Sequence, residues 1–433
     1  MYEAPDSGDL SRDSLLDELK WRGFFEQATD EAGLAALLAS GVTTGYAGFD
    51  PTADSLHVGS LIPILGLVHL QRHGHRPLAI VGGATAMVGD PSGRTELRQL
   101  LTEEQIEHNL HGIRTQLERF LHFDAGRGNA ALVLNNADWL RDYSYIGFLR
   151  DVGRHFSVNQ MLTRDSVKTR LETGLSFIEF NYMLLQAYDF MVLNRDHGCR
   201  LQLGGSDQWG NICSGVDLTR RVNQQEVFGA TFPLLTSASG EKMGKTAAGA
   251  IWLDAARTSP YDFYQYWVNC DDRDVGRFLR LYTLLPRERI EELERLRGAD
   301  LREAKRNLAR EVTALVHGDE DADRAARAAS ALFGGAGAGG GAGAGAGDES
   351  AVPSSEVAAG RLEGEGLWVV EALVEAGLCK SNGEARRLIR QAGIRVNGAV
   401  VTDEHLRLTA ADALDGRLRL QAGKKRYHDL VVA

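Results

Sequence analysis

Lysine, histidine and glycine in two short stretches offer what a reaction at a nucleotide α-phosphate requires. In the first, Tyr46 to Ser60, a strand end carrying Tyr46 and Gly48 passes through Asp50, Pro51 and Thr52 into a helix that opens His57-Val58-Gly59-Ser60. A helix N-terminus presents backbone N–H groups and the positive end of its dipole, which favours an anion. In the second, Lys242-Met243-Gly244-Lys245-Thr246 lies between Ser239-Gly240 and Ala247-Ala248-Gly249. Two lysines on a flexible loop can close over a leaving pyrophosphate and stabilise the charge that develops there.

A third stretch, Ser176 to Asp189, places Tyr182, Gln186 and Asp189 at steps of four and three, hence on one helical face. Such a stripe makes a poor core face, because each buried polar group needs a partner. Two glycine turns add further polar groups. One, Gly83 to Gly93, carries Asp90, and the other, Gln202 to Asn211, carries Gly205, Asp207 and Gln208.

The elements that must hold these groups alternate. Residues 77–83, 131–136 and 199–205 have the pattern of buried strands, the first and third running into glycine turns. Helical patterns lie between them, over 60–73 and 102–121. Strand–helix alternation predicts an α/β domain with a parallel sheet, its ligands at the carboxyl ends of the strands. From about residue 260 the pattern is helical: 261–268, 274–282, 287–297 and 301–317. Residues 334–347 are almost pure glycine and alanine, which can bury no core and so predict a flexible linker. Beyond it, 366–376 and 381–392 are expected to be short helices, the second capped by Ser381 with Glu384 at its third position. Ile394 to Val401 has the pattern of a hairpin with an Asn397-Gly398 turn.

The bulk properties agree with a soluble multidomain enzyme. At 433 residues the chain is too long for one core. Its four cysteines are scattered, with no zinc spacing, which argues against a structural metal and for a reducing compartment. The absence of any apolar run of membrane length leads to the expectation of a cytoplasmic protein with no membrane partner. Net charge is −11, yet residues 380–433 hold 11 Lys and Arg against 6 Asp and Glu, a local +5 that leaves −16 for the rest. A basic module on an acidic body suggests a local contact with a polyanion.

Taken in order, these segments resemble the bacterial tyrosyl-tRNA synthetases, class I enzymes, over nearly the whole chain outside its first thirty or so residues and the linker. Pro51 to Ser60 is similar to their HIGH signature, with Ser60 where histidine is usual and Ala47 where a cysteine is common. Lys242 to Thr246 is similar to their KMSKS loop. The resemblance implies a Rossmann-like catalytic domain over 1–240, a KMSKS-like loop and helical anticodon-binding domain over 241–333, the linker over 334–360, and an α+β S4-like RNA-binding domain over 361–433.

The resemblance also implies roles. Thr52, His57, Lys242, Lys245 and Thr246 would act on the phosphates; Gly48, Asp50, Gly59, Ser60, Gly205 and Asp207 would hold the rest of ATP. Tyr182, Gln186 and Asp90 would bind the α-amino group of tyrosine, Gln208 would lie near its carboxylate, and Tyr46 and Asp189 would bond its phenolic hydroxyl. Arg386, Arg387 and Arg390 would grip tRNA through its phosphates. Magnesium is expected to accompany ATP, with no metal held by protein ligands alone, and a homodimer follows from the resemblance. The phenol-reading groups and the nucleotide-gripping helix end are expected to share one cleft. A tryptophan-specific relative would have no use for the Tyr46/Asp189 pair, and an RNA-binding protein that had lost catalysis would have no use for His57, Lys242 and Lys245.

Overall fold

The structure, a computed structural model, describes residues 15–90, 101–164, 167–168, 171, 174–240, 243–246, 249–333, 352–423 and 426–433. Two compact units divide them. One gathers the chain up to Thr258 together with Tyr266–Asp319, and the other joins Ser259–Gln265 to the chain from Glu320 onward.

The first unit is built on a six-stranded sheet: β1 (Gln27–Ala28), β2 (Thr44–Phe49), β3 (Arg76–Val81), β4 (Leu132–Asn135), β5 (Cys199–Gly205) and β6 (Phe228–Phe232). Their spatial order is β1-β6-β5-β2-β3-β4. All neighbours from β6 to β4 run parallel, and β1 closes one edge antiparallel to β6. Buried on both faces, the inner strands need no polar alternation: every residue of β6 is buried, as is β3 after Arg76. The chain leaves β2 for β3 on one side, while β5 lies on the other. The crevice between β2 and β5 is therefore the switch point where parallel sheets place ligands.

The helices that flank this crevice are set by local signals. Helix Leu61–Arg72 is buried at ten of its twelve positions, and at Gly66 a Cβ would stand 2.4 Å from the Phe232 ring, so only glycine lets it lie this close to β6. Helix Phe177–His197 starts at a capping box, Ser176 with Glu179, and stops at Gly198 in the left-handed region (φ 63°). Helix Trp209–Asn223 packs beside it. On the far side, helices Val275–Tyr282, Arg287–Glu294 and Leu301–His317 form the helical part that the sequence predicts, each within a few residues of its expected bounds. Arg22 ties the N-terminal helix Leu15–Arg22 to it. Almost fully buried, its guanidinium donates to the carbonyls of Arg280, Thr283 and Leu285 at 3.1, 2.8 and 2.8 Å, serving carbonyls that the helix end leaves unpaired.

The second unit has its own core, drawn from Val357 to Leu430. Its sheet runs Ala399–Val400, Ile394–Val396, Arg417–Ala422, Arg426–Val432, Ser354–Val357, with the last pair parallel. The hairpin at Asn397-Gly398 forms as expected, both residues taking positive φ (49° and 83°) as a two-residue turn of matching twist demands. Helices Val369–Glu375 and Asn382–Arg390 lie within the two expected spans. The strands at 354–357, 417–422 and 426–432 have no counterpart among the expected elements, and the first corrects the linker expected over 334–360: Ser354–Val357 pairs with Arg426–Val432, and Val352 and Val357 are buried. Strand Arg417–Ala422 nevertheless alternates exposed or half-buried with buried residues along its length. Buried Asp429 and Arg419 pair through two bonds of 2.8 Å across the last two strands. The expected linker, 334–347, lies outside the described residues.

Candidate active site

At the carboxyl ends of β2 and β5 opens a cleft of about 800 Å³, its mouth included. Tyr182, Gln186 and Asp189 all line it, so the polar stripe of helix Phe177–His197 faces a cavity rather than a core. Asp90, Gln208 and Gly205 line it from the two glycine turns, and Tyr46, Gly48 and Asp50 from the end of β2.

At one wall, Tyr46 and Asp189 are 2% and 5% exposed. Among the described residues the Tyr46 hydroxyl finds no hydrogen-bond partner. Burial pushes its pKa well up, and the neighbouring Asp189 adds to the rise. Burial also pushes the Asp189 carboxyl up to about 7, against two bonds that favour its ionised form. Those bonds come from the Asn136 amide (3.0 Å) and the Trp139 indole (2.7 Å). Asn136 is fixed in turn: its oxygen accepts the Ala84 N–H at 2.9 Å, and its amide also reaches the Thr85 hydroxyl at 3.0 Å. Asn136, Trp139 and Thr85 escaped the sequence reading. The signal for Asn136 was present, since Asn135-Asn136 ends a predicted strand at the sheet edge where ligands bind.

The opposite wall is a polar chain. Gln208 donates to Asp90 at 2.8 Å, and Asn211 donates to Gln186 at 3.0 Å and to Gln208 at 3.2 Å. The Tyr182 phenol is pushed well up by burial and by the negative charges of Asp50 and Asp90. Two carboxylates against a buried hydroxyl make this wall fit for a cation such as an ammonium.

The nucleotide-side residues stand differently. His57 caps the turn Val58–Ser60, its Nδ1 accepting the Gly59 N–H at 3.0 Å. Thr52, His57, Gly59 and Ser60 are not among the residues lining the cleft; Pro63, one turn further along, is. The His57 ring folds back on its own turn and meets the Trp252 ring edge-on at 6.3 Å. Gly205 and Asp207 sit together: a Cβ on Gly205 would come within 2.5 Å of the Asp207 carboxylate.

Lys242 lies outside the described residues. Lys245–Thr246 pairs with Gly249–Ala250 as a short hairpin. Its lead-in touches the His57 turn: at Gly244 (φ 75°) a Cβ would stand 3.0 Å from the Gly59 nitrogen. The Val58 N–H donates to the Ile251 carbonyl, and the Ile251 N–H to that of Gly244, both at 2.9 Å. The two motifs far apart in sequence are therefore in backbone contact.

In the second unit, Arg386, Arg387 and Arg390 lie exposed on helix Asn382–Arg390. Arg390 is already held by Glu404 through contacts of 2.8 to 3.2 Å, and Arg386 lies over the Trp368 ring at 5.2 Å. Among the described residues no group of three or more His, Cys, Asp or Glu could hold a metal, and no helix is long and apolar enough to cross a membrane.

Comparison with known proteins agrees with this geometry. The family model described as tRNA synthetases class I (W and Y) matches residues 40–334, and that of the tyrosine–tRNA ligase SYY-like C-terminal domain matches 349–430. The chain is similar to the tyrosine–tRNA ligase of Desulfosudis oleivorans, 53% identical over 97% of this chain and 99% of that one. To the tyrosine–tRNA ligase of Rhodopirellula baltica it is 51% identical over 96% and 95%. Among solved structures, a C-terminally truncated mitochondrial tyrosyl-tRNA synthetase of Aspergillus nidulans superposes with a TM-score of 0.66 at 32% identity, covering 74% of this chain and 94% of that one. The chain belongs to the class I tRNA synthetases, and within them to the tyrosine–tRNA ligases.

Proposed function

We propose that the cleft binds L-tyrosine beside ATP, forms tyrosyl-adenylate with release of pyrophosphate, and passes the tyrosyl group to the 3′ end of tRNA(Tyr). The observation that carries the tyrosine reading is the buried, unpartnered Tyr46 hydroxyl facing the same cavity as Asp189. A buried hydroxyl without a partner is costly unless a ligand supplies one, and a phenol can donate to Asp189 while accepting from Tyr46. In this reading Tyr182, Gln186 and Asp90 receive the α-ammonium group, and Gln208 lies near the carboxylate.

The tyrosine carboxylate attacks the α-phosphorus, the bond to the bridging oxygen breaks, and pyrophosphate leaves. An ionised carboxylate needs no general base, so positioning and charge stabilisation account for the rate. Asp50, Gly48, Gly59, Ser60, Gly205 and Asp207 hold the nucleotide; Thr52, His57, Lys242, Lys245 and Thr246 act on the phosphates. Magnesium accompanying ATP would supply charge screening at the phosphates. In the second step the terminal ribose hydroxyl of tRNA attacks the adenylate carbonyl and AMP leaves.

The remaining roles follow from surfaces. Arg386, Arg387 and Arg390 contact tRNA phosphates within an S4-like module that takes in the strand Ser354–Val357 as well as 361–433, attached through the preceding glycine-rich stretch to a catalytic domain (1–240) and a helical anticodon-binding domain (241–333). A second copy of the chain covers the apolar residues that segment 145–178 exposes, led by Ile146 at 73% and Phe177 at 67%. The enzyme works in the cytoplasm, a reading that four free cysteines support. ATP–pyrophosphate exchange against all twenty amino acids tests the whole: tyrosine alone should drive it, and exchange driven by tryptophan would overturn the assignment.

A further inference from the structure

We propose that Arg257 is a positioning residue for adenylate formation, fixing the Lys245 hairpin against the His57 turn through Asp54 and Trp252. The proposal rests on the reading of His57 and Lys245 as phosphate-side groups. Residues 251–253 run antiparallel to 56–58, with Val58 N–H to the Ile251 carbonyl and Leu253 N–H to the Leu56 carbonyl, both 2.9 Å, and His57 opposite Trp252. Because Ile251 also bonds Gly244, this short ribbon decides where the hairpin meets Gly59.

Backbone pairing over three residues is a weak clamp, and side chains reinforce it. The Arg257 guanidinium pairs with the Asp54 carboxylate and lies 4.8 Å over the Trp252 ring, which also meets the His57 imidazole edge-on. Asp54 is a fixed post. Helix Glu103–Leu117 packs so close that a Cβ on Gly112 would fall 2.0 Å from the Asp54 carbonyl. From that helix Gln116 bonds both the Ser55 hydroxyl (2.9 Å) and the Leu56 N–H (2.8 Å). Ser55 Oγ also accepts the Asp254 N–H at 3.3 Å. The His108 imidazole also lies 3.7 Å from the Asp54 carboxylate. Side chains of Arg257 and Asp54 stay 38% and 31% exposed, so the fold should survive truncation of either, although the Asp54 oxygen that meets Arg257 is buried.

Arg257→Ala should lower the single-turnover rate of adenylate formation about tenfold to a hundredfold, since small misplacements of catalytic groups cost that much, while tyrosine affinity without ATP stays unchanged. Arg257→Lys should recover part of the loss. Asp54→Ala should match Arg257→Ala, and the double variant should be no worse than either single one. Hydrogen exchange at the Val58 and Ile251 amides should quicken in Arg257→Ala. A full rate in Arg257→Ala, additive losses in the double variant, equal loss of tyrosine affinity, or unchanged exchange at those amides would each overturn the proposal. Lys245→Ala separates the two levels. If it leaves adenylate formation intact, the phosphate-side reading falls; if it abolishes it while Arg257→Ala keeps the full rate, only the positioning role falls.

Discussion

Asn136, at the carboxyl exit of β4, donates its side-chain amide to Asp189, in the middle of a helix 53 positions away, at 3.0 Å. With the Trp139 indole on its other oxygen, the carboxylate has both oxygens anchored before any substrate enters. Such anchoring fixes direction, and direction is what a site needs to prefer a hydroxyl over its absence.

Removing that amide should cost selectivity more than fold. Asn136→Ala leaves Asp189 with one donor fewer, so its carboxyl should rise further above about 7. Tyrosine affinity near neutral pH should fall about tenfold, and the preference for tyrosine over phenylalanine should shrink by a similar factor. Raising the pH to about 9 should restore part of the affinity by ionising Asp189. Equilibrium binding of both amino acids across that range is the measurement, and a pH-independent loss would point to disorder of the wall instead.

The Asp189 shift also has a consequence for stability. Its folded value of about 7 exceeds its ordinary 3.8, so between the two the folded chain holds a proton that the unfolded chain has released. The stability this group contributes is complete below about pH 3.8 and is lost as pH rises through about 7, at up to about 1.4 kcal/mol per unit. Asp189→Asn cannot titrate. The difference in unfolding free energy between wild type and variant, followed by denaturant titration without tyrosine, should drift in the variant's favour from pH 4.5 to pH 7.5. A flat difference would mean that Asp189 is already ionised in the empty enzyme.

How far the sequence foretold this site depends on the scale of the feature. Tyr182, Gln186 and Asp189 share a helix, and helical spacing alone put them on one face. Asp90 and Gln208 came from glycine turns at strand ends, a local signal that parallel sheets make meaningful. Asn136 and Trp139 act on Asp189 only because β3 and β4 lie side by side, and no spacing within the chain encodes that. The His57 orientation was illegible for the same reason: its ring direction is set by Trp252, nearly two hundred residues away. The strands of the second unit were missed where short segments pair across long separations, as Ser354–Val357 does with Arg426–Val432.

Gly59 gives a sharper test of the His57 turn. A Cβ there would stand 2.7 Å from His57 Cε1 and 3.0 Å from Nδ1, so the ring must swing away. The same Cβ would sit 3.5 Å from the Met243 carbonyl, an ordinary contact. Gly59→Ala should therefore slow adenylate formation at least tenfold with little change in thermal midpoint, because the half-buried ring moves into solvent rather than into the core. An unaltered rate would show that the ring's seat on the Gly59 N–H is irrelevant to the reaction.

The last expectation concerns the C-terminal module. One buried apolar cluster of the second unit lies wholly within residues 357 to 430, and Ser259–Gln265 with the chain from Glu320 complete that unit. Among the described residues, none that lines the cleft lies beyond Gln208. Ending the chain at Gly334 should then leave tyrosine-dependent pyrophosphate exchange within about twofold of the intact enzyme, the range expected when no contact to the reacting groups is lost. Aminoacylation should suffer through the KM for tRNA, and the remaining charging should depend less on salt, since fewer phosphates are neutralised. If exchange and charging fall together, the module supports the catalytic unit as well as the RNA, and the assignment of the glycine-rich stretch 334–347 as a passive tether is wrong.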